Sequence, residues 1–180
     1  KEGARVVKKT NKEFSVKIGI NPAARTTCVK PEGTASCILG TSSGIHPHHA
    51  KRYIRRVQAN KMEDIYQHFR KTNLRACEES VWSANDSDDV VSFCIEVPDG
   101  AKLKNKVSAI DLLSCVKLTQ QNWVMTGRTD SLCVQNFLQH NVSNTINVKP
   151  EEWEDVEKFI YKNRRYFCGV SLLPVSGDKD

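Results

Sequence analysis

No two cysteines in this 180-residue chain stand in CxxC spacing, although there are seven: Cys28, Cys37, Cys77, Cys94, Cys115, Cys133 and Cys168. An odd count without clustered pairs speaks against a disulfide framework and against a cysteine-type zinc site. Reduced cysteines in apolar patterns behave as small hydrophobes, which fits a reducing, cytoplasmic setting. The sequons at Asn85 and Asn141 mean little in such a compartment. No apolar run approaches the roughly 18–20 residues that span a bilayer, so no membrane partner is expected. The charged start KEGARVVKKTNKEF lacks the apolar h-region of a signal peptide. Lys1 in place of Met leads to the expectation of a chain that is processed, trimmed or cut from something longer, the last being favoured. Neither GxxxxGK[ST] nor GxGxxG occurs, which removes the P-loop and the dinucleotide fingerprint.

Hydrophobic residues make up 39% and charged residues 27%, a balance that can fold around a core. The net charge of +6 favours an anionic partner without choosing among nucleotide, nucleic acid and acidic surface. Residues 1–22 are basic and show no pattern beyond FSVKIGI, a candidate short strand. TTCV (26–29) is β-prone and stops at Pro31, which cannot donate to a ladder. A short helix follows, with Thr34 as its N-cap and Gly40 or Gly44 as its end. RYIRRVQ (52–58) reads as a strand, and MEDIYQHF (62–69) as a helix with Met62, Ile65 and Phe69 on its apolar side. Residues 72–89 read as loop. VVSFCIEV (90–97) alternates as a strand, with Val91, Phe93, Ile95 and Val97 on one face and PDG ending it.

The clearest helix runs over 108–123. Ser108 and Asp111 form a variant capping box, and Ala109, Leu112, Leu113, Val116, Gln120 and Trp123 form one stripe. NVSNTINV (141–148) is a strand with Val142, Ile146 and Val148 on one face. Pro150 opens a last helix that turns Trp153, Val156 and Ile160 inward, with Arg164 and Arg165 at its negative end. CGVSLLP (168–174) reads as a buried-type strand. Helices alternating with strands favour an α/β architecture.

The stretch KPEGTASCILGTSSGIHPHH (30–49) carries the chemistry. A strand that ends in a Gly/Ser/Thr loop and re-enters a helix holds a phosphate well, because the first helical N–H groups lack intrahelical partners. Gly33 lets the backbone approach, Thr34 and Ser36 add hydroxyls, and Glu32 would repel an anion unless it points away. The same residues also suit an ordinary strand–turn–helix. His46, His48 and His49 raise a metal reading against one of surface and packing histidines. The basic run KRYIRR (51–56) suits nucleic acid, or else a solvated face with ion-pair partners; aromatic interleaving stops at Tyr53.

TTCVKPEGTASCILGTSSGIHPHHAKRYIRRV (26–57), VSNTINVKPEEWEDVEKFIYKN (142–163) and CGVSLLP (168–174) resemble, in order and spacing, segments of adenosylcobalamin-dependent (class II) ribonucleotide reductases. The resemblance implies an α/β fold, the C-terminal portion of a ten-stranded α/β barrel of the ribonucleotide reductase type. Residues 1–22 would be a basic segment continuing from a missing upstream part, and 23–180 the C-terminal part of the barrel domain. It implies reduction of a ribonucleotide substrate to a deoxyribonucleotide by thiyl-radical chemistry. Adenosylcobalamin is the implied cofactor; the N-terminal remainder of the same enzyme and a thioredoxin-type reductant are implied partners. No nucleic acid is expected. Carried over by residue, the substrate's phosphates would meet Pro31, Glu32, Gly33, Thr34, Ala35 and Ser36. Ser43, Gly44, Ile45, His46 and Pro47 would shape the pocket wall.

The chain departs from the family pattern at Glu32 (usually Ser), His48 (usually Arg) and Leu172 (usually Phe), and 126–141 is longer than the usual connection. The Asn-Pro-Cys-Gly-Glu finger loop, which carries the radical cysteine, is absent; INPAAR (20–25) is not it. No catalytic residue is therefore assigned, and the chain alone is expected to be inactive. A basic nucleic-acid-binding module and a non-catalytic, barrel-derived binding protein stand as alternatives.

Overall fold

A computed structural model describes residues 1–135 and 138–175, with the side chain of Thr34 outside what is described. In chain order the elements are α1 (Glu2–Ile18), α2 (Gly33–Leu39), β1 (Arg52–Asn60), α3 (Asp64–Thr72), β2 (Cys77–Glu79) and β3 (Asp88–Glu96). They continue with α4 (Ala109–Thr119), β4 (Thr145–Val148), α5 (Trp153–Asn163) and β5 (Ser171–Pro174). Two compact units result: 49–101, and the chain on either side of it. The mixed α/β class expected from the sequence is what forms.

In the larger unit, β4 and β5 pair in parallel with Thr145 opposite Ser171, and α5 makes the crossover between them. Val29 bridges Val142 in parallel, so the TTCV segment pairs beside the start of the β4 segment without forming a full ladder. Helix α4 begins with both halves of its capping box in place between Ser108 and Asp111. Its stripe of Ala109, Leu112, Leu113 and Val116 packs with Val142, Ile146, Val148 and Val156 into one core. Each fully buried Val or Ile there is worth about 1.5–3 kcal/mol of transfer free energy. The helix does not stop at Thr119 but loosens into a π-turn over Gln120–Val124, with Gln120 and Val124 buried. Trp153, expected inward, is instead exposed at the first turn of α5. β5 is not the buried strand its composition suggested: Leu172 packs on the core, but Leu173 is half exposed.

Residues 1–22 depart most from expectation. FSVKIGI is no strand; it completes α1, which Gly19 ends in a left-handed conformation (φ 71°). The inward positions are Ala4, Val7, Lys8, Asn11 and Ser15, a helical spacing of mostly small or polar residues. Lys8 Nζ donates to the Arg128 carbonyl at 2.9 Å, and Asn11 Oδ1 accepts from Ala23 N–H at 2.9 Å. Phe14, Val16, Ile18 and Ile20 alternate as a strand would, yet all four are exposed.

The smaller unit is an antiparallel sheet in the order β1-β3-β2 with Val57 opposite Val91. α3 forms where expected but buries a different residue: Tyr66 is 4% exposed, whereas Met62 and Ile65 are 79% and 80% exposed. Tyr66 turns in because its hydroxyl donates to the buried carboxylate of Asp89, which also faces Lys61. Burial and that bond to Asp89 raise the Tyr66 pKa well above the ordinary phenol value. β2, within the stretch read as loop, is three residues long and pairs with β3.

Candidate functional site

The segment 26–29 is held from both sides before it reaches the loop. Thr26 donates through N–H and Oγ1 to the Gly127 carbonyl at 3.1 and 2.8 Å. Thr27 Oγ1 donates to the Trp123 carbonyl at 2.7 Å, and Trp123 Nε1 donates to the Cys28 carbonyl at 2.9 Å. His140 Nδ1 donates to the Thr27 carbonyl at 3.0 Å, and Ser143 N–H donates to the Val29 carbonyl at 3.1 Å. This lacing fixes where Lys30 and Pro31 emerge.

α2 starts at Gly33, two residues before the start expected with Thr34 as its N-cap. Glu32, not Thr34, caps it: Glu32 Oε1 accepts the Ala35 N–H at 3.2 Å. A carboxylate at a helix start satisfies an orphan donor and suits the positive pole. It therefore stands at the amides an incoming phosphate would use. Ser36 is 7% exposed, and its hydroxyl donates to the Gly33 carbonyl at 3.2 Å. Gly40 (φ 64°) closes α2 in a Schellman motif, with Thr41 N–H to the Ser36 carbonyl at 3.0 Å and Gly40 N–H to the Cys37 carbonyl at 3.4 Å.

The wall residues return to the same place. Gly44 (φ 59°) lies against the entry of the loop: a Cβ there would stand 3.0 Å from the Lys30 carbonyl oxygen and 3.2 Å from Pro31 Cα. His46 joins this turn to β4. Its Nδ1 donates to the Ser43 carbonyl at 2.9 Å, and its Nε2 accepts the Thr145 N–H at 2.9 Å. Both ring nitrogens are thus engaged by backbone in one neutral tautomer, a positioning role. Ile45 packs against the core, and Pro47 is half-buried. The structure thus brings the 30–36 loop and the 43–46 turn together, although they are separate motifs in sequence.

His48 pairs its backbone with Lys102 and Lys104 at 3.0 and 2.7 Å, and His49 belongs to the smaller unit. Among the described residues, no group of three or more His, Cys, Asp or Glu is placed to hold a metal ion. The KRYIRR run has acidic partners: Arg52 with Glu96 at 3.2 Å, Arg56 with Glu78 at 3.5 Å and Lys51 with Asp99 at 2.5 Å. The Lys51 ammonium holds the Asp99 carboxyl below the ordinary carboxylate range.

Sequence reasoning missed the buried amides that hold this site in place. Gln120, 1% exposed, donates through Nε2 to the His140 carbonyl at 2.9 Å and accepts the Val142 N–H on Oε1 at 3.2 Å. Asn144 Nδ2 donates to the carbonyls of Val142 and Gly169 at 2.8 and 3.0 Å. A polar Gln120 in an otherwise apolar stripe was the available signal. Cys168 sits at this clamp, 3.5 Å from Gln120 Nε2, and partial burial raises its thiol pKa.

No protein-family model matches the chain. Curated relatives do. An adenosylcobalamin-dependent ribonucleoside-triphosphate reductase from Levilactobacillus brevis is 26% identical over 176 residues, 96% of this chain and 21% of the relative. The reductase of the same name from Lactobacillus leichmannii is 26% identical over 96% of this chain and 22% of its own length. The resemblance read from the sequence is borne out. A probable reductase of this kind from Dictyostelium discoideum is 23% identical over 97% of the chain. A crystal structure of a B12-dependent (class II) ribonucleotide reductase matches 99% of this chain and 24% of that one, with TM-score 0.65 and 21% identity, a likeness of fold. The chain spans about a fifth of the length of the curated relatives it matches (21% for the first). Among the described residues, no helix is long and apolar enough to cross a membrane.

Proposed function

We propose that this chain is the region of a cobalamin-dependent ribonucleotide reductase that receives the substrate's phosphates. The observation that carries this reading is the 26% identity, over 96% of the chain, to an enzyme named adenosylcobalamin-dependent ribonucleoside-triphosphate reductase. Residues 23–180 then supply the C-terminal part of a ten-stranded barrel, and residues 1–22 lead into it. The remainder of such an enzyme supplies the radical cysteine that no motif here carries. A ribonucleotide is the substrate, and a dithiol protein of the thioredoxin type is the reductant. The cytoplasm is the compartment, where the seven free cysteines stay reduced.

The local chemistry supports the phosphate assignment. An extended segment tied down at Thr26, Thr27, Cys28 and Val29 delivers the chain to a helix start at Gly33, where the Glu32 carboxylate already accepts the Ala35 N–H. The bond shows that the Ala35 N–H is aimed at a carboxylate oxygen, a position that a phosphate oxygen would take in its place. For a phosphate to bind, Glu32 swings away and its place is taken by phosphate oxygens. The Ser36 hydroxyl then turns from the Gly33 carbonyl to the ligand. Gly44 and His46 hold the opposite side of the loop entry. Adenosylcobalamin would supply the radical when bound.

The test uses a polypeptide that carries the rest of the relatives' length. Thr34→Ala with Ser36→Ala should raise KM for the ribonucleotide by about tenfold or more, two hydrogen bonds to a charged group being lost, and leave kcat and the unfolding midpoint nearly unchanged. Unaltered KM would remove the assignment.

A further inference from the structure

A cavity of about 390 Å³ opens at the C-terminal end of α5, lined by Lys117, Lys162, Asn163, Arg164, Arg165 and Tyr166. Four of those six residues are cations, drawn from α4, α5 and the turn after α5. The negative pole of α5 accounts for one: Arg164 Nη1 donates to the Tyr161 carbonyl at 2.9 Å. Lys162, in the last turn of α5, and Arg165, in the turn after it, also lie at that end, but Lys117 belongs to α4 and is brought there from outside the helix. Lys117 reaches across from α4, its Nζ 5.5 Å from the Tyr166 ring centre and 6.0 Å from that of Phe159. The Arg165 guanidinium lies 4.8 Å from the Tyr166 ring centre and donates to the Tyr166 hydroxyl at 2.6 Å. The Tyr166 oxygen accepts there, so its own proton remains to be donated.

Among the described residues none of these four cations takes part in an ion pair, whereas Arg52, Arg56 and Lys158 all face carboxylates. Aromatic faces hold a cationic head in position without cancelling its charge. Four like charges around one concavity repel each other in the empty protein, and a multiply charged anion relieves that repulsion. The volume lies within the range of about 300–1,000 Å³ that takes small ligands.

We propose that this cavity is a second anion site, separate from the Gly33–Ser36 loop, that binds an oligophosphate group. Lys117, Lys162, Arg164 and Arg165 meet the phosphate oxygens, and the Tyr166 hydroxyl donates to one of them. The site does not depend on the substrate reading, because no residue is shared between the two.

The test is amide NMR on the full 180-residue chain, titrated in parallel with inorganic tripolyphosphate and with ATP. Saturable shifts at Lys117 and at residues 162–166 are expected. Tighter binding of ATP would assign a nucleotide as the source; equal affinity would assign a bare oligophosphate. Lys162→Gln with Arg165→Gln, both at exposed positions, should weaken binding by about tenfold or more, two charge-assisted contacts being lost, without moving any shift at 33–36. The charge-preserving pair Lys162→Arg with Arg165→Lys should keep most of the affinity and controls for folding. Absence of saturable shifts at 162–166, or equal affinity in the Gln pair, overturns the proposal. So does a single-stranded oligonucleotide that binds these residues more tightly than ATP with a steep salt dependence, which would assign nucleic acid instead.

Discussion

Gly40 and Gly44 stand four residues apart and both hold positive φ, 64° and 59°, but for different reasons. At Gly40 a Cβ would meet nothing within 4 Å, so only the backbone conformation demands glycine. Gly40→Ala should cost about 1–2 kcal/mol, the left-handed penalty of an L-residue. At Gly44 the added carbon would also press on the Lys30 carbonyl and Pro31 Cα, both backbone and unable to swing aside. Gly44→Ala should therefore cost distinctly more, read as a larger drop in denaturant midpoint at unchanged m; equal costs would contradict the packing of the 43–46 turn on the loop entry. His46→Ala leaves the Thr145 N–H without its acceptor and should cost about 1–3 kcal/mol on the same measurement. At this scale the sequence shows which residues are unusual but not what they touch. Glu32 shows the limit: its carboxylate is legible as a conflict with phosphate, whereas its role as the cap of α2 depends on where the Ala35 N–H points in the fold.

Elements were legible where an apolar period and a cap agree. α4 has both, and Ser108 with Asp111 begins it as read. The Ser108 hydroxyl, and then its backbone N–H, hold the Asp111 carboxyl below the ordinary carboxylate range. A depressed folded-state value means the cap contributes fully above the unfolded carboxylate value of about 3.9. That contribution is lost as pH falls through the lower folded value. Hydrogen exchange in the first turn of α4, corrected for intrinsic rates, should therefore accelerate below about pH 4, and Asp111→Asn should abolish that acceleration. A pH-independent first turn in the parent chain would contradict the cap. α1 was illegible because its inward stripe is small and polar, while its exposed Phe14, Val16 and Ile18 imitate a strand. In α3 the choice of face followed a tertiary bond, Tyr66 to Asp89, that no local period encodes. β2 is too short and too polar to announce itself.

For the whole molecule, the alternation of helices and strands was enough for the mixed α/β class, but not for the separation of 49–101 as its own unit. That separation depends on which strands pair, β1 with β3 and β3 with β2, and pairing partners are not local properties of a sequence. The parallel β4–β5 pair and the Val29 bridge set the loop at 30–36 beside the β4 edge. The central claim is that the amides of Gly33–Ser36 receive the phosphates of a ribonucleotide, with Glu32 as the occupant to be displaced. Coulomb repulsion at a solvated site is worth about 1 kcal/mol, so Glu32→Gln should tighten binding by about fivefold. The most direct measurement is amide NMR of the parent chain and of Glu32→Gln during titration with a ribonucleoside triphosphate. The account predicts saturable shifts at residues 33–36 in both, at lower ligand concentration in Glu32→Gln. Residues 33–36 left unmoved at saturation, whatever happens at 162–166, would contradict it.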